Sequence, residues 1–181
     1  MSQIQIYKPN ASVKGFAASF RYSTDKDCVF AQLIRQSTWN DEQKLGGFKE
    51  SMTDPTKKTT AALGFTEIGA ILDCIERNRP FKTYHDSDKE AKSISFTPWM
   101  DKNTPPTHLG FSFAITVKGK NGEPDNAFYI GLTFPEAREL REFLVWALHQ
   151  HFGAYARNQP QQEKYPTAPA PAKAQQPLVK I

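Results

Sequence analysis

Cysteine is almost missing from this 181-residue sequence, which holds only Cys28 and Cys74. A four-cysteine zinc site is excluded by count, and a mixed cysteine–histidine finger finds no support in the spacing. Both cysteines sit among apolar residues and are expected to be buried thiols. Histidine is scarce as well: of His85, His108, His149 and His151, the last two are two apart on a helix and so face different ways. Near the end of a helix, their ordinary role is to interact with its dipole. His85-Asp86-Ser87-Asp88 is hemmed by Lys82, Lys89 and Lys92 and reads as a solvated turn between helix and strand. No metal and no other cofactor is expected. The motifs that bring activated groups together are missing too: there is no G-x-S-x-G, P-loop, G-x-G-x-x-G or H-E-x-x-H. The chain is therefore expected not to be an enzyme.

No apolar run reaches 18 residues, so no membrane-spanning helix is expected. The start, MSQIQIYKPN, lacks the basic-then-apolar order of a secretory signal. The expected setting is the cytoplasm or nucleoid, or a host cell's cytoplasm if the protein is viral. Net charge is only +4. Residues 153–181 carry Arg157, Lys164, Lys173 and Lys180 against Glu163, which leaves residues 1–152 with 19 bases against 18 acids. On so nearly neutral a body, attraction for a polyanion must come from local clustering of bases.

What is present falls into two parts. Residues 153–181 contain five Pro, six Ala and five Gln, too little apolar surface to offset the entropy of ordering. They read as a flexible tail whose Leu178-Val179-Lys180-Ile181 end could dock on a replication or recombination protein. Residues 1–152 read as one α+β domain. Lys14 to Tyr22 alternates with period two, and after the turn Ser23–Asp27 a second strand runs from Cys28 to about Trp39. A loop follows, then a strand over Lys57–Leu63 and a helix capped by Thr66, striped with Ile68, Ile71, Leu72 and Ile75 and ended by Asn78-Arg79-Pro80. The second half repeats this order, with strands at Lys92–Trp99, His108–Lys118 and Ala127–Leu132. Its helix is capped by Thr133 with Glu136 three residues on, and runs to about Phe152. The caps lie 67 residues apart, which predicts two antiparallel sheet-plus-helix halves in a pseudo-duplicated arrangement and argues against a doubly wound nucleotide fold.

A binder of single strands needs cations along the backbone path and flat rings for the bases. The first 60 residues carry nine bases against six acids. Lys14, Arg21, Arg35, Lys44, Lys49, Lys57 and Lys58 are the candidate phosphate contacts. Phe16, Tyr22, Trp39, Phe48, Tyr84 and Trp99 lie at strand ends or in loops, and Phe16, Trp39, Phe48 and Trp99 are the candidate stacking rings. Trp39, Phe48 and Trp99 are bordered by turn formers and polar residues and are expected to be exposed. Phe20, Phe111 and Phe113 fall in regular alternation and are expected in the core.

The order sheet-helix-sheet-helix, with the strand Val13-Lys14-Gly15-Phe16-Ala17-Ala18-Ser19, resembles the Whirly-type family of single-stranded nucleic-acid binders, related in architecture to PC4-like proteins. The family's Lys-Gly-Lys-Ala-Ala-Leu motif is matched at Lys14, Gly15, Ala17 and Ala18, while Phe16 replaces the second lysine and Ser19 the leucine. The resemblance implies two four-stranded sheets packed on helices, assembly into homo-oligomers through helix contacts, and sequence-tolerant binding of single-stranded DNA during replication, recombination or repair. Phe16 would then offer a ring where the family has a cation. The size and tail are also similar to those of bacteriophage single-stranded DNA-binding proteins. Single-stranded RNA, or a non-catalytic role in protein interaction, are the alternatives that the residues leave open.

Overall fold

The structure, a computed structural model, describes residues 2–88, 90–119 and 124–158, with side chains in the last stretch described through residue 154. The chain opens with β1 (Gln3–Lys8), β2 (Phe16–Ser23) and β3 (Cys28–Arg35). A small hairpin, β4 (Thr38–Asn40) with β5 (Leu45–Gly47), and two 3-10 turns lead into β6 (Lys58–Leu63) and α1 (Phe65–Arg77). The second half consists of β7 (Phe81–Asp86), β8 (Ala91–Met100), β9 (His108–Val117), β10 (Asn126–Leu132) and α2 (Phe134–Asn158). The sheets have the orders β1-β2-β3-β6 and β10-β9-β8-β7, antiparallel throughout. The expected pair of sheet-plus-helix halves is therefore present.

Alternation decides which face of each sheet is buried. Phe16, Ala18, Phe20 and Tyr22 of β2 are all buried, as are Ile94 and Phe96 of β8, Phe111, Phe113 and Ile115 of β9 and Phe128, Ile130 and Leu132 of β10. These faces meet ring to ring: Phe20 lies 5.4 Å from Phe113, and Phe16 lies 6.4 Å edge-on from Phe128. Full burial of each such side chain is worth about 1.5–3 kcal/mol, so this inter-sheet layer dominates the stability of the domain. Ile68, Ile71 and Cys74 of α1 and Ala137, Leu140, Leu144 and Ala147 of α2 join the same core. Both cysteines are buried free thiols, and burial pushes the Cys74 thiol up to about 11.

Polar side chains clasp the rim where the sheets meet. The Arg35 guanidinium at the end of β3 donates to Asn126 Oδ1 at 2.7 Å and to the Ala127 carbonyl at 2.8 Å on β10. It also lies over the Phe128 and Phe16 rings at 4.9 and 5.6 Å. Lys92, almost wholly buried on β8, donates to the Thr60 carbonyl on β6 at 2.7 Å.

Several expectations change at this level. The strand expected to continue to Trp39 ends at Arg35: Gln36 N–H still bonds the Gly15 carbonyl, but Ser37 N–H bonds the Gly47 carbonyl and Thr38 begins a separate hairpin. The edge strands β1 and β7 were not expected. In β7 only Phe81, Thr83 and His85 are half-buried, too weak an alternation to stand out. His85 and Asp86 thus belong to a strand rather than a turn, and His85 Nε2 sits 2.7 Å from Glu67 Oε1 on α1. Helix α1 begins two residues earlier than a cap at Thr66 would allow: Gly64 caps it, and Gly64 N–H donates to Glu67 Oε2 at 2.9 Å. Thr133 does cap α2, with its N–H and hydroxyl both donating to Glu136 Oε2 at 2.7 Å. Helix α2 continues past Phe152 to Asn158. His149 and His151 consequently stand inside it, and His151 stacks on Phe65 with ring centres 3.8 Å apart. The tail from residue 159 onward lies outside the described residues.

Candidate nucleic-acid interface

The loop between β1 and β2 is held by one buried side chain. Gln36 Oε1 accepts from Asn10 N–H at 2.9 Å and from Gly15 N–H at 3.2 Å. Its Nε2 donates to the Asn10 and Thr38 carbonyls at 3.0 and 2.8 Å. All four positions of the amide are therefore bonded, which fixes the loop against the start of the small hairpin. Asn10 adds a second anchor, its Oδ1 accepting from Lys14 N–H at 3.0 Å and from the Ser12 hydroxyl at 2.8 Å. Val13 carries the tight bend with φ of 56°, a conformation that a β-branched residue rarely adopts. Gly15 is obligatory next to it, since a Cβ there would stand 2.3 Å from the Lys8 carbonyl oxygen and 2.5 Å from Gln36 Oε1. The outcome of this construction is that Lys14 projects, exposed, at the mouth of β2.

Opposite Lys14 is the edge strand β10. Its inward residues Phe128, Ile130 and Leu132 are buried, so Tyr129 must point outward, and it is 57% exposed. Its ring rests on Phe16, with centres 4.8 Å apart. Two clefts of about 300 and 340 Å³ open here, and Lys14, Gly15, Phe16 and Tyr129 wall both. Arg35 and Lys57 complete the first, whereas Lys8, Asn10 and Gly131 belong to the second. No carboxylate lines either cleft. Trp99 of β8 reaches the same rim, because its ring covers Gly131 so closely that a Cβ at that glycine would come within 3.1 Å of it. Trp99 remains 42% exposed.

The structure thus gathers Lys14, Phe16, Arg35, Lys57 and Trp99 of the expected residues around one groove. Phe16 is 6% exposed. It cannot offer a free face as placed, and instead props up Tyr129. Tyr129 had escaped notice because it alternates with core residues, and nothing in its local sequence distinguishes an outward ring on an edge strand from an inward one. Arg35 reaches the groove already engaged as a clasp. Tyr22, expected at a strand end, is buried, while Tyr84 is exposed on β7.

The other candidates lie elsewhere. Arg21 stands on the outer face of β2 with its guanidinium 5.4 Å from the Phe30 ring centre. Lys58 Nζ donates to the Met52 carbonyl. Trp39, Lys44, Phe48 and Lys49 belong to or flank the small hairpin. Trp39 and Phe48 are half-buried rather than exposed: the Trp39 indole donates to Asp41 Oδ1 at 3.0 Å, and Phe48 packs against Tyr7 at 5.8 Å. Lys44 and Lys57 each lie 3.8 Å from an aspartate three residues away, in exposed pairs of little energetic weight.

Among the described residues no cluster of three His, Cys, Asp or Glu side chains is placed to hold a metal ion. Among them, too, no helix is long and apolar enough to cross a membrane.

Two four-stranded antiparallel sheets packed face to face, each followed by a helix, define an architecture found in solved structures. The chain is similar to WHY3 from Arabidopsis thaliana, with a TM-score of 0.60 at 17% identity, over 87% of this chain and 93% of that one. It is similar to the plant transcriptional regulator PBF-2, with a TM-score of 0.59 at 17% identity, over 86% and 85%. A guide-RNA-binding protein complex bound to a gRNA matches with a TM-score of 0.57 at 16% identity, over 83% and 92%. No protein-family model and no curated protein matches the sequence. The fold is the Whirly fold.

Proposed function

We propose that this protein binds unpaired nucleic-acid strands, DNA foremost, along the groove between its two sheets. The observation that carries the reading is the juxtaposition of exposed Lys14 with the outward Tyr129 ring in a groove without a carboxylate in its walls. Cations at this spacing neutralise phosphates, and the rings of Tyr129 and Trp99 present π-faces that accept any base. The fold is shared with a protein complex solved with a guide RNA bound, which supports a strand as the ligand and keeps RNA as the second reading. Holding strands open in replication, recombination or repair is the physical work that such sequence-tolerant contacts suit. We also propose that copies associate through α2, whose Val145, Leu148 and Phe152 form an apolar strip with Phe152 60% exposed.

Titration of the full chain with oligothymidine, followed by tryptophan fluorescence, tests the strand reading. Quenching that reverses with added salt is expected. Lys14→Ala should weaken binding and reduce the slope of log K against log salt by about one phosphate contact. A folded protein that shows neither quenching nor salt-dependent binding overturns the proposal. Competition between oligothymidine and oligouridine separates DNA from RNA.

A further inference from the structure

The groove is not one trough but two clefts with a common wall. Lys14, Gly15, Phe16 and Tyr129 bound both, and beyond these four the walls diverge: Arg35 and Lys57 to one side, Asn10 and Gly131 to the other. Of the shared four, Gly15 and Phe16 are buried and form the floor. Only Tyr129 and Lys14 rise from it. The Tyr129 ring stands on Phe16, and its neighbours on the outer face are small: Ala127 and Gly131 along β10, and Ala114 across the strand pair. The one large side chain beside it there is Trp99, whose ring lies over Gly131 and closes the far side of the second cleft.

We propose that Tyr129 splits one step of the bound strand, with successive bases lodged in the two clefts on either side of its ring and the phosphate between them at Lys14. This rests on the strand-binding reading and names the form of the strand that the site accepts. Each cleft, of about 300 to 340 Å³, lies at the bottom of the range that ligand sites occupy, so it suits a single flat ring system. Each also has cations besides the shared one: Arg35 and Lys57 in the first, with Lys57 3.8 Å from Asp54, and Lys8 in the second, paired with Glu136. A chain with flat units joined by singly charged links matches that alternation. Parting two neighbouring bases costs stacking energy, and pairing to a second strand would oppose it further. Tyr129 thereby selects unpaired, flexible strands over duplex without reading any base edge.

The test uses the full-length protein and an oligothymidine carrying one adjacent pair of 2-aminopurines, whose exciton-coupled circular dichroism reports their mutual stacking. Binding of the wild-type protein, and of Tyr129→Phe, is expected to abolish the coupling. With Tyr129→Ala the strand is expected to bind roughly tenfold more weakly, in line with about 1–3 kcal/mol per stacked base, and to keep its coupling. An abasic oligonucleotide should bind wild-type and Tyr129→Ala equally, because its phosphates still meet the lysines. Retained coupling at saturation with wild-type protein, or equal loss of abasic binding in Tyr129→Ala, overturns the divided step while the strand-binding reading stands. Failure of wild-type protein to bind either polymer overturns both.

Discussion

Gln36 shows how a single buried amide can position a charged residue that it never touches. It is 4% exposed and bonds the backbone of residues 10, 15 and 38 at once. Gln36→Leu keeps the volume but strands the buried Gly15 amide, at about 1–3 kcal/mol, and releases the part-buried Asn10 amide and the Asn10 and Thr38 carbonyls. We expect the midpoint of urea unfolding to fall and strand binding to weaken, whereas Lys14→Ala should weaken binding with the midpoint unchanged. Equal stability of Gln36→Leu and wild type would show that the loop is held by something else. Little of this could be seen in the sequence. Lys14 was recognisable as a cation opening a strand, but a glutamine twenty-two residues later carries no local mark of being its anchor.

At the scale of elements, both helices begin with the same device, a glutamate at the third helical position bonding back to the cap. In α2 that glutamate has a second partner, since Glu136 also forms an ion pair with Lys8 of β1. Partial burial pushes the Glu136 carboxyl up, but hydrogen bonds from Lys8 and Thr133 outweigh it and leave the group below its ordinary value. A carboxylate lowered in this way stabilises the fold fully above its unfolded pKa and loses that contribution as pH falls through the folded value. Glu136→Ala should therefore cost about 1 kcal/mol at neutral pH, the usual worth of a cap. The gap between variant and wild type in thermal melts should narrow as acid protonates the carboxyl. A gap independent of pH would assign the loss to packing alone. The α2 cap was legible because Thr-Phe-Pro-Glu is a local signature, while the cap of α1 was misplaced because Gly64 has no side chain to signal it. The edge strands β1 and β7 went unseen for another reason: Gln3-Ile4-Gln5-Ile6 alternates over only four residues, and the inner face of β7 holds Phe81 with the polar Thr83 and His85.

For the molecule as a whole, the near-neutral balance of residues 1–152 hides a local asymmetry. The groove walls carry Lys8, Lys14, Arg35 and Lys57 with no acid among the lining residues; Lys8 and Lys57 are paired from behind with Glu136 and Asp54, so the local excess rests on Lys14 and Arg35. Self-association belongs to this scale too. An exposed Phe152 beside Val145 and Leu148 offers an apolar strip on α2, and a second copy would cover it. Light scattering of the full chain should show an oligomer that Phe152→Ser shifts toward monomer, with helical circular dichroism unchanged. A wild-type monomer at micromolar concentration would remove this proposal and leave strand binding to the single subunit.

The sequence by itself determined the layering: its switches between periods of two and about 3.6 fixed two sheets, two helices and the rings that fill the space between them. Of the three rings that it marked as open to solvent through the turn formers and polar residues around them, Trp99 is exposed while Trp39 and Phe48 are half-buried. Only the tertiary structure decided which of the scattered cations share a surface, since that depends on how β10 meets the mouth of β2. It likewise exchanged Phe16 for Tyr129 as the ring on offer. Alternation tells a strand's two faces apart but cannot say which residue at an open edge will be left uncovered when a second sheet packs against it.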